Sequence, residues 1–180
     1  MRTKKIYSRD VLRAGYRLEG SLLCTIEYRG ERLCALRLSV EDEKGEKQED
    51  YDCHSSFSDR VYDEVVEYFE GRRTSFSFEV DYSSYSPFAQ RVFRELTLIP
   101  YGETRSYKDI AVAVGSPLAS KAIGRVCNLN PFHLIVPCHR VVGSGGRLVG
   151  YRGGLALKSA LLTLERGGGG LFDKLYQPCR

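Results

Sequence analysis

Several residue types and patterns are scarce in this 180-residue sequence, and each scarcity argues against a class of protein. The chain has no tryptophan and only three histidines, which is few for a protein organised around metal ions. No apolar run approaches the roughly 18 residues needed to cross a bilayer, so we expect no membrane partner. The basic first residues are not followed by an apolar segment and a cleavage site, so we expect no secretory signal.

The six cysteines are widely scattered and form no Cys-x-x-Cys pair. This pattern is typical of free thiols in a reducing compartment, and it predicts a cytoplasmic protein, or a nuclear one in a eukaryote. An alternative is a zinc site in which Cys53 and His54 join Cys24 and Cys34. Their spacing fits no standard zinc pattern, and buried small thiols are the simpler interpretation.

Other common site motifs are missing as well. The chain has no Walker motif, no His-Glu-x-x-His and no Gly-x-Ser-x-Gly, which removes support for nucleotide hydrolysis, zinc proteolysis and serine hydrolysis. The glycine-rich stretch from Gly143 to Gly146 is not a dinucleotide fingerprint, because Leu148 stands where the third glycine would be.

Acidic residues are scarce in the second half of the chain. Residues 1–85 hold 14 Lys/Arg and 18 Asp/Glu, a net charge of −4, whereas residues 86–180 hold 13 and 5, a net charge of +8. This asymmetry favours contact between the second half and a polyanion, although a basic solvated surface explains it equally well. The acidic run 41–52 is most simply a solvated loop.

The periodicity of the first half predicts a small antiparallel sheet and one helix. The predicted elements are strands Ser21–Tyr28 and Arg32–Val40 around a hairpin turn at Arg29-Gly30, a strand Ser75–Val80 and a helix Asp59–Gly71. The expected apolar face of that helix consists of Val61, Val65, Val66, Tyr68 and Phe69. Ser58 or Asp59 is the expected helix cap. The Ser- and Tyr-rich stretch 82–87 is a candidate linker, which gives an N-terminal α/β domain over residues 1–85.

The second half predicts a mainly helical domain over residues 86–170, with a tail over 171–180. Its expected helices are Pro87–Leu98, Ser106–Val114 and a third from Leu118 or Ala119 to Asn128. Two short helices joined by a tight turn at Gly115 form a helix-turn-helix pattern, which together with the positive charge favours DNA binding. The fold class is therefore α/β (α+β).

The second helix of that pair has an unusual outward face. Ile123, Val126 and Cys127 are its expected buried residues, which leaves small side chains and two bases, Lys121 and Arg125, outside. Major-groove readers carry long side chains to the base edges, whereas a smooth helix suits the minor groove and phosphate contacts. Close packing against another part of the same protein is the alternative.

An apolar strand, Phe132–Val136, is expected to lead into Pro137-Cys138-His139-Arg140. A thiol beside an imidazole can lose its proton to that base and become a strong nucleophile. Since adjacent residues of an extended chain point to opposite faces, we expect His139 to reach Cys138 through a turn or a water molecule.

This segment resembles the PCHR signature of the methylated-DNA–protein-cysteine methyltransferases, also called O6-alkylguanine-DNA alkyltransferases. The resemblance runs from about Val65 to Glu165, and residues 1–60 match only vaguely. The matching stretches include 67–72, 87–93, Ile99-Pro-Tyr-Gly-Glu-Thr104, Ser106-Tyr107, Ala122-Ile-Gly124, Asn130-Pro131, 135–142 and Gly150-Tyr-Arg-Gly-Gly-Leu155.

The resemblance implies repair of double-stranded DNA by transfer of an alkyl group from the O6 of guanine to Cys138, once per molecule. It implies a minor-groove approach, base flipping, no cofactor and no metal, and we expect a monomer. The implied catalytic residues are Cys138, His139, Glu165 and Asn130, and the implied substrate-binding residues are Tyr107, Tyr151, Arg152 and Lys158, with Lys158 near Tyr107. The implied DNA-binding residues are Lys121, Ser120, Ala122, Gly124, Arg125, Lys108, Ser116 and Ser144.

The sequence departs from the family at Lys121, where the family usually has an arginine that fills the space left by the flipped base. Three alternatives are weighed against the main interpretation: a non-catalytic lesion sensor, a helix-turn-helix regulator and a thiol peptidase. Lesion sensors replace the nucleophile, commonly with tryptophan, whereas this chain keeps Cys138. A regulator leaves the Pro137–Arg140 segment unexplained, and in a peptidase the base usually lies far from the cysteine.

Overall fold

The computed structural model describes residues 11–18, 22–40 and 53–168. Three antiparallel strands form one sheet in the order β1-β2-β3: β1 Leu12–Arg17, β2 Leu22–Arg29 and β3 Arg32–Val40. The predicted hairpin is present, with Arg29 opposite Arg32 and a left-handed Gly30 in the turn. Strand β1 was not predicted.

The first helix, α1, spans Ser56–Phe69 and packs on the sheet. It begins earlier than predicted, because Ser55 rather than Ser58 or Asp59 is its N-cap. The Ser55 hydroxyl accepts a hydrogen bond from the Ser58 amide, and the Ser58 hydroxyl accepts one from the Ser55 amide. Ser58 is therefore the third residue of a reciprocal capping box, which the prediction took for the cap itself.

The predicted strand Ser75–Val80 is wrong. Only Val80 forms a bridge, to Leu33 of β3, and the rest of the segment joins no ladder. The Ser77 amide donates to the Glu64 carboxylate of α1, so a side chain occupies a donor that a strand would direct to its neighbour. The alternation of apolar and polar residues in this segment instead reflects the packing of Phe76 and Phe78 against the core.

The described part of the second half, residues 86–168, contains four α-helices and two very short strands. They are α2 Pro87–Thr97, β4 Arg105–Ser106, α3 Tyr107–Ala113, α4 Ser120–Leu129, β5 Val141–Val142 and α5 Gly154–Glu165. Ser106 caps α3 as predicted, and residues 114–119 join α3 to α4. The mixed α/β fold with a helical second half and a helix-turn-helix is thus confirmed.

The segment before the nucleophile is not the predicted apolar strand. Residues 133–135 form a turn, and Leu134 has a φ of 69°, which lies outside the β region. Its one sheet-like contact is a bridge between Phe132 and Leu36 of β3. The Leu38 amide also donates to Nδ1 of His133. Apolar composition here reflects burial between two cores rather than strand geometry.

Two hydrophobic clusters meet around this segment. One contains the sheet, α1 and the inner face of α5, and the other contains α2, α3, α4 and Cys138. Tyr151 packs against both clusters. The predicted linker is not loose, because the Tyr82 and Tyr85 rings pack edge to face against Phe132. Within the described residues, no helix is long and apolar enough to cross a membrane.

Candidate active site

Cys138, His139 and Arg140 form one turn of 3-10 helix, and all three side chains are buried. Residues 138 and 139 thus lie in a turn and not in an extended chain, and both side chains are buried. That His139 reaches Cys138 through this turn or a water molecule stays a prediction. The turn runs directly into β5, which pairs in parallel with β4 at the start of α3. The nucleophile candidate therefore lies beside the helix-turn-helix.

Glu165, at the end of α5, forms hydrogen bonds with the side chains of His139 and Arg140. Its Oε1 lies 2.6 Å from Nε2 of His139, and Nε of Arg140 donates to Oε2 at 2.9 Å. The Gly102 amide donates to Oε2 at 3.0 Å. Burial opposes ionisation of Glu165, but hydrogen bonds from His139, Arg140 and Tyr68 outweigh it and lower its pKa to about 2.

These contacts define the tautomer of His139. An ionised carboxylate only accepts hydrogen bonds, so Nε2 of His139 carries the proton that points to Glu165. Burial lowers the pKa of His139, against the opposing effect of Glu165, so the ring is neutral at neutral pH. Its Nδ1 then presents a lone pair, and this buried atom has no hydrogen-bond partner within the described residues. His139 is thus arranged to accept a proton.

The Cys138 thiol is protonated at rest. Burial raises its pKa to about 11, although a hydrogen bond from Asn130 and the charge of Lys158 partly offset that effect. Asn130 is completely buried at the end of α4, and its Nδ2 donates to Sγ of Cys138 at 3.1 Å and to the Val136 carbonyl at 2.7 Å. A thiol of this kind needs a base during the reaction, and a thiolate would keep the Asn130 hydrogen bond.

Two tyrosines are close to this thiol. Burial raises the pKa of Tyr151, and burial raises the pKa of Tyr107 to about 12. Both phenols are near enough to Cys138 that a thiolate there would raise both pKa values further. Both phenols are therefore neutral donors. The Tyr151 hydroxyl is buried and has no partner within the described part of the chain. A side chain at Gly153 would come within 2.9 Å of the Tyr151 ring, so this glycine permits the position of that ring.

The two other residues of the predicted substrate site lie in different surroundings. Nζ of Lys158 is buried and donates to the carbonyls of Val141 and Val149, at 2.6 and 2.9 Å. Lys158 thereby ties α5 to the segment that precedes Tyr151. Arg152 is exposed, and its charge contributes to the low pKa of His133.

The predicted DNA-binding residues lie on the outside of the helix-turn-helix and the following turn. Ile123, Val126 and Cys127 are the buried residues of α4, as predicted. The exposed or half-buried positions are Lys108, Ser116, Ser120, Lys121, Ala122, Gly124, Arg125 and Ser144. A Cβ at Gly124 would lie 3.8 Å from the Tyr107 ring, so this face adjoins one of the two tyrosines. Their roles in DNA binding remain predictions.

Sequence reasoning missed part of the carboxylate cluster. Tyr68 was expected only as an apolar residue of the first helix, yet its hydroxyl donates to Oε1 of Glu165 and lies 3.4 Å from Nε2 of His139. Arg140 was read as part of a motif without a role of its own. Gly102 was also missed, although its φ of 80° and the Glu165 backbone carbonyl, only 2.9 Å from where a Cβ would lie, demand glycine. Only the family stretches that contain these residues gave a signal.

The geometry of the described residues does not support the alternative of a zinc site at Cys24, Cys34, Cys53 and His54. Cys24 is buried, Cys34 is half-buried and Cys53 is exposed. In the described ranges, no group of three or more His, Cys, Asp or Glu side chains could hold a metal ion.

Comparison with known families assigns both halves of the chain. Residues 24–82 match the 6-O-methylguanine DNA methyltransferase, ribonuclease-like domain, and residues 87–167 match the 6-O-methylguanine DNA methyltransferase, DNA binding domain. A methylated-DNA–protein-cysteine methyltransferase of Mycolicibacterium paratuberculosis is 52% identical over 99 residues, which are 55% of this chain and 59% of that protein. An inducible Bacillus subtilis protein of the same name is 45% identical over 103 residues, 57% of each chain. The chain thus matches a little over half the length of these relatives.

Solved structures extend the match to nearly the whole chain. Mycobacterium tuberculosis OGT in complex with DNA is 36% identical, with a TM-score of 0.77 over 93% of this chain and 100% of that chain. A second crystal structure, of the M. tuberculosis O6-methylguanine methyltransferase, gives a TM-score of 0.74 over 93% and 99%. On the site geometry, the two domain matches and this full-length likeness, the chain belongs to the 6-O-methylguanine DNA methyltransferase family.

Proposed function

We propose that this protein repairs DNA by direct reversal, in which Cys138 takes the alkyl group from the O6 of a guanine and keeps it. The observation that carries the proposal is the set of contacts in which Glu165 holds Nε2–H of His139 while Asn130 donates to the thiol. These contacts support a site in which His139 accepts the proton of one buried nucleophile and Asn130 stabilises the thiolate.

The transfer balances as a displacement at carbon. Nδ1 of His139 takes the Cys138 proton, directly or through water, and the sulfur attacks the alkyl carbon. The carbon–oxygen bond breaks, and its electron pair leaves with the guanine. Donors at Tyr151 and Tyr107 stabilise the negative charge that develops on the base, which then takes up a proton. The product is a thioether, and because no group at the site can hydrolyse it, each molecule reacts once.

DNA is the partner in this scheme, bound in its double-stranded form from the minor-groove side. The α4 surface of small residues allows close approach of the helix, and Lys121 and Arg125 supply charge for the phosphates. The Cys138 side chain is only 3% exposed, so the alkylated base must leave the stack to reach it, at a cost of a few kcal/mol. We propose that the protein acts as a monomer in the cytoplasm.

The mass of the intact protein tests this function. After incubation with a duplex that contains one O6-methylguanine, the protein should gain one methylene unit of mass, and the Cys138→Ala variant should gain none. Cys127→Ala is the matched control, since it removes another buried thiol of the same cluster and should leave the gain intact. A wild-type protein that binds the duplex without any gain would favour the non-catalytic lesion sensor instead.

A further inference from the structure

A tyrosine from the first half of the chain reaches the proton relay of the second half. Tyr68 lies on α1, is fully buried, and its hydroxyl donates to the Glu165 oxygen that also faces His139. We propose that Tyr68 is a positioning residue for alkyl transfer, which adjusts the basicity of the His139–Glu165 pair. The proposal rests on the proposed function and gives the N-terminal half a direct part in it.

The hydrogen bonds at Oε1 of Glu165 explain how Tyr68 acts. This oxygen faces Nε2 of His139 at 2.6 Å, the Arg140 guanidinium at 3.1 Å and the Tyr68 hydroxyl. Each additional donor takes up part of the negative charge on the oxygen and weakens its hold on the other protons. The phenol therefore limits the pull of Glu165 on His139, which favours a neutral imidazole with a free lone pair on Nδ1.

The phenol acts as a donor throughout the ordinary pH range. Burial and the adjacent charge of Glu165 both raise the pKa of Tyr68, so its proton stays in place. That proton points to Glu165, while the phenol oxygen lies 3.4 Å from Nε2 of His139. Tyr68 thus contacts both members of the pair.

Aromatic packing fixes the direction of the hydroxyl. The Tyr68 ring stacks on Phe76 with centroids 5.4 Å apart, and it meets Tyr101 and Phe69 edge to face at 5.7 and 6.0 Å. The ring is held on several sides, so removal of the oxygen alone leaves the packing in place. Tyr68→Phe therefore isolates the hydrogen bond.

The Tyr68→Phe substitution leaves other titratable groups around His139 in place. These groups are Glu165 and Lys158 of α5, Arg140 in the same turn, Tyr101 beside Tyr68, and Cys138, His133 and Tyr151 on the side of the thiol. A change in the pH dependence after Tyr68→Phe is thus attributable to one hydroxyl. Without it, Oε1 holds the Nε2 proton more strongly and the pKa of His139 rises.

The test is the single-turnover rate of methyl transfer from an O6-methylguanine duplex, measured from about pH 5 to pH 9. In Tyr68→Phe, the acidic limb of the profile should move to higher pH by about one pH unit, and the rate at a pH on that limb should fall roughly three- to tenfold. The control is Tyr28→Phe, which removes another buried phenol that donates to a carbonyl, that of Cys53. Its profile should match the wild type.

A second substitution works in the opposite direction and keeps the side chain's hydrogen bond. Incorporation of 3-fluorotyrosine at position 68 makes the phenol a stronger donor, so the acidic limb should move to lower pH. If both variants keep the wild-type limb, or if Tyr68→Phe lowers only the melting temperature, the role is structural and the inference is wrong. A wild-type protein that transfers no methyl group would overturn the proposed function and this inference with it.

Discussion

Nε2 of His139 lies 2.6 Å from Oε1 of Glu165, and neither side chain is exposed to solvent. The pair fixes which imidazole nitrogen can accept the thiol proton. Replacement of Glu165 by Gln removes the acceptor charge and allows the imidazole to rotate or change tautomer. We expect the transfer rate to fall roughly 10²-fold or more, as measured by single-turnover kinetics. Glu103→Gln, at an exposed acid, is the control, and an equal loss in both variants would contradict the account.

The rate of transfer should depend on pH through His139 rather than through Cys138. Burial lowers the pKa of His139 from its ordinary 6.5 and raises that of Cys138 to about 11. The active form has a neutral imidazole, so the rate should be full at pH 7 and should fall only as the solution becomes more acidic than about pH 6.5. A rate that rises continuously from pH 7 to 10 would indicate instead that the thiolate forms without His139.

Both the nitrogen and the oxygen of the Asn130 side-chain amide should contribute to alkyl transfer. Its Nδ2 donates to the thiol and its Oδ1 accepts from the Phe132 amide. Asn130→Asp keeps the acceptor but places a negative charge where the donor was, so the pKa of Cys138 should rise and transfer should slow at least tenfold at pH 7. Titration of the thiol with a chromogenic disulfide against pH measures the first effect. A Cys138 pKa that stays the same in Asn130→Asp would refute this role.

His133 should make the fold sensitive to acid. Its Nδ1 accepts from the Leu38 amide, and burial lowers its pKa to about 3. The unfolded chain binds a proton at His133 below about pH 6.5, whereas the folded chain does not, so stability is complete above that pH and is lost as pH falls toward 3. His133→Asn keeps an acceptor for Leu38 and removes the titration.

Denaturant unfolding at pH 7 and pH 4.5 measures this contribution. The variant should lose less stability than the wild type between the two values, by an amount on the order of 2 kcal/mol. Equal losses in both proteins would show that the acid sensitivity comes from elsewhere, such as His139, whose pKa burial also lowers.

Lys121 should limit the flipping step. It is exposed in the first turn of α4, where an ammonium cannot stack or form the planar set of hydrogen bonds that a guanidinium forms. Lys121→Arg should raise the repair rate on duplex DNA and leave the reaction with free O6-methylguanine base unchanged. Lys108→Arg is the matched control on α3. The same rate in Lys121→Arg and wild type on duplex would contradict this reasoning.

Structural features that depend on a local sequence pattern were predicted correctly. Helix α4 carries its own periodicity, so its three buried residues were predicted correctly, and the Arg29-Gly30 turn predicted the β2–β3 hairpin. The predicted strands at Ser75–Val80 and Phe132–Val136 failed because tertiary contacts decide those segments. In the first segment the Ser77 amide donates to Glu64 of α1, and in the second the chain turns at Leu134, whose φ is positive.

The site residues also include some that a local sequence pattern identifies and some that depend on tertiary packing. Cys138 and His139 are adjacent in the chain, so their chemistry is readable from the sequence. Tyr68 and Glu165 are 97 positions apart, and their contact depends on how α1 packs against α5, which no local pattern encodes. Glu165 itself was expected only because of the family resemblance.

The most direct test of the account is the stoichiometry and location of the transferred group. Protein is mixed with an excess of O6-methylguanine duplex, repaired guanine is counted against protein, and the modified peptide is sequenced by mass spectrometry. The account predicts a plateau at one guanine restored per protein molecule, with the methyl group on Cys138. Continued turnover beyond that plateau, or a methyl group on any other residue, would contradict it.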